Sequence, residues 1–172
     1  LQGWQFRDCI CVKCCTALGH VQRNGRRSAP GLPRMTRRRI LFVAEAVTLA
    51  HVGRPIFLAG TLPGDDVEIA CPDDYANLVR RAGLSARPLR SLSPATFAAR
   101  LARGRPLYTE NELAGSIRDD LRLLAEVRPD AVVGDFRLSL SVSARLAKIP
   151  YVNVTNAYWS PCARPDFRMP GL

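Results

Sequence analysis

Two residues of this chain, His51 and Asp135, are of types that together act as a general base. Each comes at or soon after the end of a short apolar stretch, 39–44 or 131–134, that is typical of a buried strand. Because the carboxyl ends of parallel strands meet at one edge of a sheet, we expect the two side chains to lie close together. Such an Asp fixes the imidazole tautomer and stabilises the imidazolium that forms when the other nitrogen takes a proton. The pair therefore predicts a base for a substrate hydroxyl.

Each residue also has a purely structural interpretation. His51 precedes Pro55, which fits the first turn of a helix, so the histidine could simply cap or pack at a helix start. Asp is a common helix N-cap, and Asp135 precedes a predicted helix. The residues alone leave both the catalytic and the structural interpretation open.

The elements that must position this pair alternate between strand and helix patterns. Strands are predicted at 39–44, 67–71, 86–89, 131–134 and 150–154. Helices are predicted at 53–62, 73–82, 94–103, 110–127 and 138–147. This alternation predicts an α/β fold, a Rossmann-like and mainly parallel sheet with helices on both faces. Pro88 confines the third strand to a sheet edge or an irregular run, and Leu113, Ile117, Leu121 and Leu124 share one face of the long helix.

Two phosphate-binding motifs are absent from the sequence. No Gly-x-Gly-x-x-Gly follows the first strand, and no Walker loop occurs anywhere. A dinucleotide site of the usual dehydrogenase kind is therefore not expected in this chain.

Three segments in a fixed order resemble family 1 GT-B glycosyltransferases, the group of the UDP-glycosyltransferases and the macrolide and flavonoid glycosyltransferases. Residues 40–62 are similar to the family's first strand, Gly-His-x-x-Pro loop and helix, although Ala50 replaces the glycine and one extra residue follows His51. Residues 129–136, Pro-Asp-Ala-Val-Val-Gly-Asp-Phe, resemble its Pro-Asp-hydrophobic-Asp strand. Residues 144–152 resemble the segment that follows, with Lys148 where glycine is usual. The resemblance extends from Arg39 to about Asp166.

The resemblance implies that residues 35–172 are an N-terminal, acceptor-binding domain and that the C-terminal donor domain is absent. It implies that His51 removes the proton of the acceptor hydroxyl while Asp135 orients it. The side chains expected to contact the acceptor are Phe136, Asn156, Tyr158 and Trp159.

The same resemblance implies a nucleotide-sugar donor as co-substrate, held by the missing half, with no cofactor and no metal. The expected partner is a small hydroxylated acceptor, together with a separate donor-domain chain if the enzyme is split. The chain alone is expected to be inactive. A Rossmann-like binding module without chemistry is the alternative from a different class.

Residues 1–34 differ in composition from the remainder. They hold four of the six cysteines, Cys9, Cys11, Cys14 and Cys15, and show no helix or strand period. The Cys11–Cys14 spacing suits zinc, but no second ligand pair stands at a usual distance. We expect a disordered, basic extension. A misassigned start is a further interpretation, because Met35 and the residues after it resemble an ordinary start of a protein.

The net charge of +10 is unevenly distributed. Residues 1–34 hold six of the 25 Lys and Arg and one of the 15 Asp and Glu, which is half of the excess. The remaining domain is only mildly basic, so a nucleic-acid partner is not expected. No apolar run approaches the roughly 20 residues that span a bilayer, and no secretory signal is recognisable. These features predict a cytoplasmic protein.

Overall fold

The computed structural model describes residues 37–156, which form a five-stranded sheet flanked by five helices. The elements in chain order are β1 (Arg39–Ala44), α1 (Ala50–Ala59), β2 (Asp66–Cys71), α2 (Asp73–Arg81), β3 (Ser85–Pro88), α3 (Pro94–Ala102), α4 (Glu110–Val127), β4 (Ala131–Asp135), α5 (Leu140–Leu146) and β5 (Tyr151–Val154). The strand order is β3-β2-β1-β4-β5, and every pair is parallel. The predicted Rossmann-like α/β class is confirmed.

Several sequence predictions fall outside residues 37–156. They are the disordered extension at 1–34 with its zinc alternative, and the acceptor contacts Tyr158 and Trp159. Within the described range, no helix is both long and apolar enough to cross a membrane.

The core has two layers because β1 is covered on both faces. Leu41 and Val43 point to one face and pack in a cluster with residues of α4 and α5. Ile40 and Phe42 point to the other face and pack with residues of α1 and α2. This period of two on a fully buried strand produces the continuous apolar run seen in the sequence.

The position of β1 at the centre of the sheet determines where a site can form. The sheet order reverses direction at β1, with β2 on one side and β4 on the other. Ligands of open α/β sheets bind outside the carboxyl ends of the strands at such a switch point. The third strand lies at the sheet edge, as Pro88 predicts.

Helix α1 differs from its prediction in a way that affects the site. It begins at Ala50, three residues before the predicted start, so His51 is the second helical residue. The prediction that Pro55 lies in the first turn is wrong, because Pro55 lies inside the helix. Its missing N–H leaves the His51 carbonyl without the usual helical donor. The imidazole thus comes from the positive end of a helix.

The end of α5 carries a residue in an unfavourable conformation. Lys148 has φ 56°, in the left-handed region. Its N–H donates to the Arg145 carbonyl, and the Ile149 N–H donates to the Ala144 carbonyl. These two bonds form a Schellman motif, in which glycine is the usual residue at the position of Lys148.

We expect Lys148→Gly to stabilise the domain by about 1 kcal/mol, because glycine adopts this conformation without the Cβ clash. The free energy of unfolding would be measured by urea denaturation. Lys148→Ala is the matched control, since it removes the same charge but keeps the Cβ. A Lys148→Gly protein no more stable than Lys148→Ala would contradict the backbone-strain argument.

Candidate active site

The adjacent ends of β1 and β4 build the site. Ala44 lies opposite Asp135 in the strand register, and the Glu45 N–H donates to the Asp135 carbonyl at 3.0 Å. A short loop then leads from β1 into α1 and returns the chain over the end of β4. This path brings His51 to Asp135.

The two side chains are in direct contact. His51 Nδ1 lies 2.8 Å from Asp135 Oδ1. The Asp135 side chain is 1% exposed and the His51 side chain 11% exposed. A carboxylate that deep in the protein requires donors or a compensating charge. The structure therefore brings together the two residues that the sequence pairs, in the geometry of a carboxylate-oriented imidazole.

Arg54, one helical turn after His51 on α1, contacts the same carboxylate. Its Nε donates to Asp135 Oδ2 at 2.7 Å and its Nη2 to Oδ1 at 2.6 Å. Its Nη1 donates to the Asn156 side-chain oxygen at 3.0 Å. Arg54 thereby joins α1, the end of β4 and the segment after β5 in one polar network.

The contact with Asp135 favours one tautomer of His51. A carboxylate only accepts, so the 2.8 Å contact requires the proton on Nδ1. Arg54 Nη2 lies 2.8 Å from the same nitrogen, but a guanidinium only donates. We assign this N–N contact to two donors that share the oxygen Oδ1. Nε2 then carries the lone pair that a base needs.

Phe136 covers the imidazole. Its ring stacks on the His51 ring with centroids 4.9 Å apart and planes at 27°. Phe97 in turn packs edge-to-face with Phe136, with the ring centroids 5.7 Å apart. Phe136 has φ 60°, a strained conformation for an aromatic residue. Strain of this kind persists only where neighbouring residues impose it, and it is common at functional sites.

One of those neighbours is Arg137, which is 2% exposed and belongs to a second buried ionic cluster. Its Nη1 donates to Glu45 Oε2 at 2.6 Å and to the Arg90 carbonyl at 2.8 Å, and its Nε donates to Asp120 Oδ1 at 3.0 Å. Its Nη2 lies 2.9 Å from the same Asp120 oxygen but makes no well-directed hydrogen bond. Burial opposes the charge, yet the two carboxylates outweigh it and raise the pKa of Arg137. Phe136 is thus flanked by two anchored side chains.

The two carboxylates of this cluster, Glu45 and Asp120, also accept hydrogen bonds from neighbouring segments. Glu45 Oε1 accepts from the Ser91 hydroxyl and from the Leu92 N–H, both at 2.7 Å. Asp120 Oδ2 accepts from the hydroxyls of Ser139 and Ser143. The cluster therefore ties α4 and the loop after β3 to the segments that follow β1 and β4.

An apolar groove lies beside the His–Asp pair. The residues that line it are Leu49, Ala50, Gly53, Arg54, Phe57, Leu58, Val154 and Thr155. Phe57 is 75% exposed and Leu49 61% exposed, so the apolar surface is open. Of the predicted acceptor contacts, Asn156 follows directly on Thr155 of this groove, and Phe136 packs on the His51 ring.

Two other kinds of functional group, a metal-binding cluster and a reactive cysteine, find less support among the described residues. No group of three or more His, Cys, Asp or Glu residues there could hold a metal ion. Cys71, at the carboxyl end of β2, is buried and unpaired. Burial raises the pKa of its thiol to about 11, so at neutral pH it is protonated and a poor nucleophile.

Sequence reasoning missed Arg54 and the buried cluster around Arg137. Arg54 stands three residues after His51, a spacing that places both side chains on one helix face. This spacing could have suggested Arg54 once a helix was assigned from Ala50. Arg137, Glu45 and Asp120 are far apart in sequence, and no local pattern predicts their meeting.

Comparison with solved structures places the fold in a known class. CalG4, the calicheamicin glycosyltransferase, matches with a TM-score of 0.53 and 22% identity over 74% of this chain and 34% of that one. The spinosyn rhamnosyltransferase SpnG matches with a TM-score of 0.50 and 22% identity, over 72% and 37%. The fold is that of a GT-B glycosyltransferase domain. No family model matches the chain.

Comparison with sequence relatives gives matches of higher identity. The chain is 48% identical over 147 residues to the "PGL/p-HBAD biosynthesis rhamnosyltransferase" of Mycobacterium bovis, which is 84% of this chain and 32% of that protein. It is 44% identical over 142 residues to the "Inactive PGL/p-HBAD biosynthesis glycosyltransferase" of the same organism, 81% of this chain and 39% of that one. The chain spans about a third of the length of these relatives. It matches a part of a family 1 GT-B glycosyltransferase.

Proposed function

We propose that this chain is the acceptor-binding, N-terminal domain of a glycosyltransferase in which His51 is the general base. The contact between His51 Nδ1 and Asp135 Oδ1 carries the proposal. In it, Asp135 orients the imidazole so that Nε2 takes the proton of an acceptor hydroxyl. The hydroxyl oxygen then attacks the anomeric carbon of a nucleotide sugar, and the nucleotide leaves with the bonding electrons.

The groove beside the base supports an apolar acceptor with one reactive hydroxyl. Leu49, Phe57 and Leu58 provide its apolar lining, while Asn156 contributes a polar group where the chain leaves β5. In this proposal, the acceptor surface is completed by Phe136, Tyr158 and Trp159. The rhamnosyltransferase name of one relative makes an activated rhamnose the first donor to test.

The donor is the reason that the chain alone is expected to be inactive. Sugar transfer requires groups that orient the donor and stabilise its leaving diphosphate. We propose that these groups belong to a second, C-terminal domain, continuous with this chain or carried on a separate one. A cytoplasmic location is proposed with this function, because nucleotide sugars are made there.

The test is a chimera in which this chain replaces the matching 147-residue stretch of the Mycobacterium bovis rhamnosyltransferase. Rhamnosyl transfer to that enzyme's own acceptor would be followed by mass spectrometry. We expect transfer by the chimera and by the unaltered relative, and none by this chain alone.

A different result would select another function. Transfer by the 172-residue chain alone would overturn its assignment as a part of an enzyme that needs a donor domain. A folded chimera that retains donor binding but transfers nothing would favour a binding module without chemistry. The second possibility has a specific support, since one relative at 44% identity is named inactive.

A further inference from the structure

The contact with His51 alone does not explain how the negative charge of the buried Asp135 carboxylate is compensated. Its carboxylate is 1% exposed, and a buried anion is stable only beside a compensating positive charge or enough donors. An imidazole supplies a full positive charge only when it is protonated, and a protonated imidazole cannot act as a base. For a working base, the compensating charge or the further donors must therefore come from other groups.

Arg54 is placed to supply that charge. Its guanidinium engages both carboxylate oxygens, at 2.7 Å and 2.6 Å, whereas His51 engages Oδ1 alone. This two-point contact is the geometry in which arginine binds carboxylates most strongly. Arginine also stays protonated at every physiological pH. Helix α1 delivers the side chains of His51 and Arg54 to one carboxylate from a single face.

The same guanidinium opposes a charge on the imidazole. Arg54 Nη2 lies 2.8 Å from His51 Nδ1, so an imidazolium would form against a neighbouring positive charge. Asp135 on β4 and Arg54 on α1 are the charged groups in contact with the ring, and the uncharged Phe136 covers its face.

We propose that Arg54 is a positioning residue that neutralises Asp135 permanently, so that His51 rests uncharged with Nε2 free to accept a proton. This role rests on the proposed function of His51 as the base. It means that the functional unit comprises His51, Asp135 and Arg54 together.

Histidine nitrogen-15 NMR on the chain itself tests the proposal without any transfer reaction. The chain has two histidines, His20 and His51, so His51→Gln assigns the signals. Near neutral pH we expect the His51 ring to be uncharged, with its proton on Nδ1. In Arg54→Gln both ring nitrogens should move to the positions of an imidazolium. Arg54→Lys, which keeps the charge, should restore the uncharged ring.

Asp135→Asn provides the matched background because it removes the buried charge. There, Arg54→Gln should move the ring signals toward the imidazolium positions less than it does beside the charged Asp135, because only the repulsion by Arg54 is removed. Equal ring protonation in the unaltered chain and in Arg54→Gln would overturn the proposal. An imidazolium in the unaltered chain near neutral pH would do the same without needing a folded variant. An inactive chimera with the expected NMR result would instead remove the transferase function and leave the charge compensation standing.

Discussion

His51→Ala is expected to lower the turnover of the chimeric transferase by about 10²–10⁴-fold, the usual contribution of a general base. The loss falls on kcat because the imidazole acts on the proton that moves in the transition state. Acceptor affinity should change much less, since the proposed groove is lined mostly by other residues. Initial rates over a range of acceptor concentrations separate the two effects.

Two further variants serve as comparison and control for His51→Ala. Asp135→Asn should also lower turnover, by a smaller factor, because the imidazole remains but is less well oriented. Leu146→Ala, on an exposed position of α5, is the neutral control. Turnover of His51→Ala equal to that of Leu146→Ala would show that the contact with Asp135 is structural and that the base lies elsewhere.

Arg137→Met is expected to destabilise the domain by about 3–5 kcal/mol, the cost of leaving buried carboxylates without their cation. Glu45 is 2% exposed and Asp120 fully buried, so neither can recover its lost partner from water. A loss of this size is a large share of the roughly 5–15 kcal/mol by which domains are stable. The free energy of unfolding in urea measures it.

The ion pair between Arg90 and Asp119 provides the matched control. The Arg90 side chain is 82% exposed, so Arg90→Met should cost about 0–1 kcal/mol. If Arg137→Met cannot be purified folded, Arg137→Lys should show an intermediate loss, because it keeps the charge but not the forked contacts. An effect of Arg137→Met as small as that of Arg90→Met would show that the cluster does not stabilise the fold.

Local patterns predicted the elements well where their ends carry their own signals. Helix α4 runs from Glu110 to Val127 as predicted, because a capping box of Thr109 and Glu112 starts it and Arg128 ends it in the left-handed region. Helix α1 has no side-chain cap, and its start was misplaced because Pro55 was assigned to its first turn.

Tertiary partners explain what the patterns could not predict. The predicted apolar face of α4 includes Leu124, but the buried face also includes Asp120. A carboxylate becomes an inward residue here because Arg137, seventeen positions later, and the hydroxyls of Ser139 and Ser143 reach it. His51 and Asp135 were predictable because strand ends converge. The role of Arg54 was harder to predict, because Arg54 reaches Asp135 only after the strand ends have brought α1 next to β4.

The parallel pairing of β1 with β4 has a consequence for how such enzymes diversify. Asp135 lies in the sheet and His51 on the helix that follows β1, so both belong to one domain. In the proposed enzyme, a hinge movement against a donor-binding domain would alter the reach to the sugar but leave His51 and its carboxylate in place. In the proposed enzyme, proton removal and sugar choice would then be inherited as separate modules. Recombination that exchanges the donor domain could change the sugar without retuning the chemistry of the acceptor hydroxyl.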